Sequence, residues 1–261
     1  MHMREKIFST WAYVRHQACA GNTLGYGIHS PYLFNIARTI LPSTEPYYAF
    51  EPIEALRRNL LSEEKSVYVE DFGTGRSGKR RVSDIARTSL KPRREAQLLM
   101  RLGVMQGARE LLELGTSLGI TSAYLASIDS RAHLTTFEGA PELAKTARAG
   151  WHQLGIQNIT CIEGDINLTL PKWQPEKPLD FVFIDANHTG ESLLRYFEQT
   201  QAHRNEHAIF AIDDIHASRD MEQAWKRICK HKEVSATMDL YSMGLVFFDP
   251  NFEKKTYRIR F

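Results

Sequence analysis

Three carboxylates and one imidazole late in the chain have the types and spacing to do chemistry. They are Asp185, followed three positions on by His188, and the adjacent pair Asp213 and Asp214. Asp185 ends the apolar run FVFI, and the pair ends AIFAI. Continuously apolar runs of this kind read as strands covered on both faces, as parallel strands are. Such strands deliver their carboxyl ends to one edge of a sheet, so the three acids are expected to converge there. Carboxylates held that close repel unless a cation or protons compensate. An acid at a strand end also serves simply to cap the next helix, so the cluster alone leaves a bound ion open. His188, with an ordinary pKa of about 6.5, could take a proton near neutral pH, ligate an ion, or be a plain loop residue. His216, two positions after Asp214, is the weaker candidate for the same task.

A second constellation lies upstream. Glu113-Leu114-Gly115-Thr116-Ser117-Leu118-Gly119 follows an apolar strand pattern and opens a helical one. Gly115 permits a sharp turn, and Gly119 lets the helix begin close to a ligand. The next strand ends in Glu138, where a carboxylate can accept both hydroxyls of a ribose. A nicotinamide dinucleotide carries a pyrophosphate and usually takes GxGxxG. With one glycine fewer, this loop better suits S-adenosylmethionine, which has no phosphate and places its amino-acid end there. A rival glycine loop, Asp71 to Arg80, does contain GxGxxG and nearly spells a P-loop, but Arg80 stands where that motif needs Ser or Thr. No strand–helix alternation follows it closely. It reads as a surface or lid loop within a basic stretch, 73–94.

The elements that must position these residues form an alternation beginning near Arg94. Strands are expected at 110–114, 133–137, 159–162, 181–184, 209–212, 235–240 and 245–248. Helices are expected at 94–102, 119–127, 141–154, 190–204 and 219–230. That pattern predicts an α/β, Rossmann-like doubly wound sheet of seven mostly parallel strands, the last antiparallel. Residues 1–94 read as a helical and loop extension, a candidate lid, and 95–261 as the ligand-binding domain. Pro141 suits a first helical position, Gly155 a left-handed stop and Ser218 a helix cap.

Five segments, ELGTSLGITSAYLA, TTFEGAPELAKTA, CIEGDINLTL, LDFVFIDANHTGE and FAIDDIH, resemble in this order the class I methyltransferases. In particular they are similar to the small-molecule O-methyltransferases related to catechol O-methyltransferase, over about residues 95–250. The resemblance implies in-line methyl transfer from S-adenosylmethionine to a small-molecule hydroxyl. It places Glu113, Gly115, Thr116 and Ser117 around the methionine end, Glu138 at the ribose and Asp165 near the adenine, with Gly119 and Asp185 also among the cofactor-binding candidates. Asp185, Asp213 and Asp214 occupy positions that carry Asp, Asp and Asn around magnesium in metal-dependent members, so Mg²⁺ or another divalent ion is a candidate cofactor. An oxygen ligand is kept at the third position although the charge differs. His188 falls where the catechol enzymes carry a catalytic lysine, and Asp185 joins it as a catalytic candidate. The alternatives are a nicotinamide-dependent oxidoreductase of similar fold and a non-catalytic cofactor-binding protein.

Bulk properties narrow the partners. The 261 residues carry a formal net charge of +2, too mild to imply nucleic acid. The turn after the fourth strand reads Asp185-Ala186-Asn187-His188, not the Pro-Pro-aromatic turn of nucleic-acid amino-methylating enzymes. Cys19, Cys161 and Cys229 are unpaired in spacing, which fits a reducing cytoplasm. No apolar run approaches a membrane span. A small-molecule acceptor is expected, and a homodimer is left open.

Overall fold

The computed structural model describes residues 3–70 and 77–261, with side chains from Phe8 onward. The glycines at 73 and 75, and with them most of the rival glycine loop, lie outside the described residues. In chain order the helices are α1 (Met3–Cys19), α2 (Pro31–Asn35), α3 (Phe50–Ser62), α4 (Val82–Ser89), α5 (Arg93–Gln106), α6 (Ile120–Ala126), α7 (Pro141–Gln153), α8 (Ile166–Thr169), α9 (Gly190–Gln201) and α10 (Arg219–Lys230). The strands are β1 (Ser66–Val69), β2 (Gly78–Arg81), β3 (Glu110–Leu114), β4 (His133–Glu138), β5 (Ile159–Glu163), β6 (Leu179–Ile184), β7 (Arg204–Asp213), β8 (Ala236–Asp239), β9 (Met243–Phe247) and β10 (Lys255–Arg258). Strands β3 to β10 build an eight-stranded, mostly parallel, Rossmann-like sheet with helices on both sides. The chain divides into two compact units, residues 44–179 and residues 1–43 with 180–261.

In the 44–179 unit the strands run in the order β3-β4-β5, all parallel. The register places Glu113 beside Thr136 and Leu114 beside Phe137. Phe50, Ile53 and Leu56 of α3, Val82 and Ile85 of α4, Tyr124 of α6 and Trp151 of α7 share one buried core, so residues 44–94 pack into the same interior as the β3–β5 strands' helices. A polar lock crosses that interior. Tyr124 donates its hydroxyl to Glu54 at 2.8 Å, Arg57 donates to the same carboxylate at 3.0 Å, and Arg57 also reaches the Lys91 carbonyl at 2.8 Å. Burial, reinforced by the Glu54 bond, pushes the Tyr124 phenol well above its usual range, so it stays a donor. Helix α7 starts at Pro141 and stops before Gly155, at φ 70°, as the sequence suggests.

In the other unit the order is β10-β8-β9-β7-β6. Strand β9 is antiparallel to both β7 and β8, as expected for the seventh strand of the alternation. The expected count of seven is one short. Strand β10 adds an eighth at the edge, parallel to β8. Its sequence, KTYR, buries only Tyr257 firmly, so it shows little apolar pattern on its own. Asn22 holds it in place, donating its backbone amide to the Arg258 carbonyl at 3.2 Å and accepting from the Arg258 amide at its side-chain oxygen at 3.0 Å. Ser218 caps α10 by accepting from the Met221 amide at 3.1 Å, with Asp220 in the first turn and Lys230 in the last, both favourable to the helix dipole. The stretch 78–89 is also more ordered than expected, since β2 pairs antiparallel with β1 and leads directly into α4.

Candidate active site

The glycine turn after β3 is built by backbone geometry. Gly115, Ser117 and Gly119 have φ of 103°, 50° and 75°. The first and last are conformations glycine adopts without strain. A methyl at Gly119 would come within 2.6 Å of Trp151 Nε1 and 2.7 Å of the Ala147 side chain, while Trp151 donates to the Gly119 carbonyl at 2.8 Å. No larger residue fits there unless α7 moves.

Glu138 closes the turn from the end of β4. It is nearly buried, and its carboxylate accepts from the Ser117 amide at 2.7 Å and the Ala140 amide at 2.8 Å. Burial raises its pKa, opposed by those backbone donors. Each carboxylate oxygen has a second lone pair, so the group that clamps the loop can still accept from ribose hydroxyls. Glu113 is fully buried and accepts from Ser122 and from Thr136, the latter at 2.7 Å. Burial pushes its carboxyl up to about 8 against the pull of those two hydroxyls. Thr116 is buried as well, its hydroxyl 2.6 Å from that of Thr136 and its amide on the Phe137 carbonyl. Asp165 caps α8, accepting from the Asn167 amide at 2.9 Å. Glu113 Oε1 and Ser117 Oγ are buried without a hydrogen-bond partner among the described residues. Orphaned polar atoms at a glycine turn are what a site shaped for a polar ligand leaves when the ligand's atoms are not counted. The turn therefore fits the amino-acid end of S-adenosylmethionine. Thr136, Ser122 and Trp151 support this turn and were not singled out from sequence; the signal for the first two is that a buried Glu113 must find donors.

In the other unit the strand-end acids do come together. Asp185, His188 and Asp213 each offer a ligand atom within 4.8 Å of the others. His188 Nε2 lies 3.7 Å from Asp185, and Nδ1 lies 3.6 Å from Asp214. Asp213 is buried at the end of β7, while His188 and Asp214 are about half exposed. The group of three thus includes His188, and Asp214 stands against the opposite ring nitrogen. Two carboxylates and an imidazole suit a divalent transition ion or Mg²⁺-like ion. His216 is placed differently, buried against Asp239 at 3.0 Å. Backbone strain marks this edge too. Asn187, His188, Asp214 and Tyr241 all have positive φ, each within four residues of the end of β6, β7 or β8. Left-handed non-glycine residues cost about 1–3 kcal/mol each and concentrate at functional sites.

Residues 112–215 match the family model of a methyltransferase domain. The segment contains every site residue named above from Glu113 to Asp214. Among curated proteins, the protein-L-isoaspartate O-methyltransferase of Ignicoccus hospitalis is 34% identical over 89 residues, covering 33% of this chain and 41% of that protein. The chain spans about two fifths of the length of the curated relatives it matches. An O-methyltransferase of Bacillus cereus, solved with S-adenosylhomocysteine, superposes with a TM-score of 0.57 at 16% identity, over 78% of this chain and 92% of that one. The O-methyltransferase TomG of Streptomyces achromogenes, involved in tomaymycin synthesis and solved with S-adenosylmethionine, superposes with a TM-score of 0.57 at 14% identity, over 95% and 99%. At these identities the likeness is one of fold. It is the class I methyltransferase fold that the motif order led one to expect. Among the described residues, no helix is long and apolar enough to cross a membrane.

Proposed function

We propose that this chain is an S-adenosylmethionine-dependent methyltransferase acting on a hydroxyl oxygen of a small molecule. The observation that carries this reading is the Glu138-clamped glycine turn, with its orphaned Ser117 and Glu113 oxygens, inside the segment that matches a methyltransferase domain. In this reading Glu138 accepts the ribose hydroxyls. Gly115, Thr116, Ser117 and Gly119 shape the room for the amino-acid end, Glu113 lies beneath it, and Asp165 borders the adenine. The cofactor supplies a methyl already activated on a sulfonium, so the protein's task is alignment, exclusion of water and proton removal.

His188 takes the acceptor's proton. Asp185 and Asp214, one beside each ring nitrogen, stabilise the imidazolium that results. The motif likeness also assigns Asp185 to the cofactor. A divalent ion held by Asp185, Asp213 and either His188 or Asp214 would lower the pKa of an acceptor oxygen. An imidazole nitrogen that ligates an ion cannot also accept a proton, so the two roles for that nitrogen exclude each other. Turnover of labelled S-adenosylmethionine against a library of phenols, aliphatic alcohols and isoaspartyl peptides tests the proposal. Methyl transfer to hydroxyls supports it, transfer to the peptides reassigns the acceptor, and failure with all three classes counts against catalysis.

A further inference from the structure

A cavity of about 390 Å³ opens within the unit formed by residues 1–43 and 180–261, lined from α1, α10, β8 and β10. None of Asp185, His188, Asp213 or Asp214 lines it. Its volume falls at the small end of the range for small-molecule sites. At its centre of charge is Asp239, the last residue of β8. His16 Nε2 lies 3.0 Å from the Asp239 main-chain oxygen and 3.2 Å from one oxygen of its carboxylate, and His216 Nε2 approaches the other carboxylate oxygen at 3.0 Å. Although burial opposes ionisation, the two imidazoles hold the Asp239 carboxyl well below its usual range. Carbonyl and carboxylate oxygens only accept, so both rings present N–H at Nε2, and the second nitrogen of a neutral ring is then an acceptor.

Both second nitrogens lack a donor. His16 and His216 are 4% and 6% exposed, and Nδ1 of each is buried with no hydrogen-bond partner among the described residues. Glu222 Oε2, 4.0 Å from His216 Nδ1, is too far and supplies no proton. Two buried acceptors on residues lining one cavity call for a ligand that brings hydroxyl groups. The surrounding charge calls for an anion. Four cationic side chains line the cavity against two carboxylates. Arg15 and Lys226 are both spent on Glu222, at 2.7 and 2.5 Å. Lys230 and Arg258 carry the excess, Arg258 standing 4.0 Å from Asp239. Guanidinium and ammonium groups set this way suit phosphate or carboxylate oxygens.

We propose that this cavity is a second ligand site, for a small hydroxylated organic anion. Its hydroxyls donate to Nδ1 of His16 and His216, and its phosphate or carboxylate is held by Arg258 and Lys230. Because the site is lined by residues outside the proposed methyl-transfer machinery, its fate does not depend on that reading.

Titration calorimetry on the full chain tests this, using ribose 5-phosphate and citrate as hydroxylated anions of the two kinds, with ribose and inorganic phosphate as half-ligands. At least one hydroxylated anion binds saturably, about tenfold or more tighter than either half-ligand. Arg258→Ala, a change at a half-exposed side chain, weakens that binding about tenfold or more. His16→Phe does the same, and Glu138→Ala does not. Ribose 5-phosphate and citrate separate the phosphate from the carboxylate preference. The proposal is overturned if neither binds, if ribose or inorganic phosphate binds as tightly as the better of the two, or if Arg258→Ala binds as tightly as the unaltered protein.

Discussion

Glu113 makes stability depend on pH in a way that one substitution can remove. Its carboxyl is fully buried, and burial lifts it from 4.5 to about 8. A raised carboxyl pKa means the folded chain keeps a proton that the unfolded chain has released. The stabilisation is therefore whole below about pH 4.5 and is lost progressively as pH rises through about 8. At roughly 1.4 kcal/mol per pH unit, the loss over that window is at most about 5 kcal/mol, a large share of a typical domain's stability. Glu113→Gln places a neutral amide where the protonated acid sits, keeping an oxygen to accept from Ser122 and Thr136. The variant is expected to match the parent to within about 1 kcal/mol near pH 6, a normal cost for a near-isosteric polar change. It should exceed the parent's stability at pH 9. Urea unfolding across pH 5–9, without cofactor, reads this directly. Equal pH slopes for the two proteins would show that Glu113 is ionised in the fold and that the reasoning is wrong.

Other consequences follow from the same geometry. Gly119→Ala forces a β-carbon against Trp151 and Ala147 at a positive φ, and should cost about 2–4 kcal/mol in denaturant unfolding; a loss under 1 kcal/mol would mean that α7 yields easily. His188→Ala should lower methyl transfer to a found acceptor by about 10²–10⁴-fold while leaving S-adenosylhomocysteine affinity within threefold or so; unchanged turnover removes it as the base. Mn²⁺ should bind the native protein and bind Asp213→Asn at least about tenfold more weakly. A native protein that gives no heat with Mn²⁺, and whose turnover ignores chelator, retires the ion and leaves the proton to His188 alone.

How far the sequence reached can be seen residue by residue. The apolar runs FVFI and AIFAI, and the helix caps at Pro141, Gly155 and Ser218, are local signals, and the corresponding elements stand where those signals put them. Gly115 and Gly119 were legible because a turn requirement is written in the glycine itself. The need for Gly119 against Trp151, 32 residues away, was not. Strand β10 escaped because an edge strand buries one face and needs only Tyr257 to do so. Strand β2 and helix α4 were obscured by their arginines, which stand exposed while Val82 and Ile85 turn inward. At the site, the order of acids along the chain announced that Asp185 and Asp213 would meet. It did not announce that left-handed turns at Asn187 and His188 would bring the imidazole between them and Asp214. The buried triad of His16, Asp239 and His216 was equally silent, since its members come from opposite ends of the chain.

The account rests on a nucleoside held by Glu138 above the glycine turn, and calorimetry with S-adenosylhomocysteine tests that most directly. The native chain should bind it at micromolar concentration, and Glu138→Ala should bind about 10–100-fold more weakly, the cost of losing charge-assisted bonds to two hydroxyls. Native binding that survives Glu138→Ala unchanged would contradict the assignment. No binding to the native chain would contradict the account as a whole.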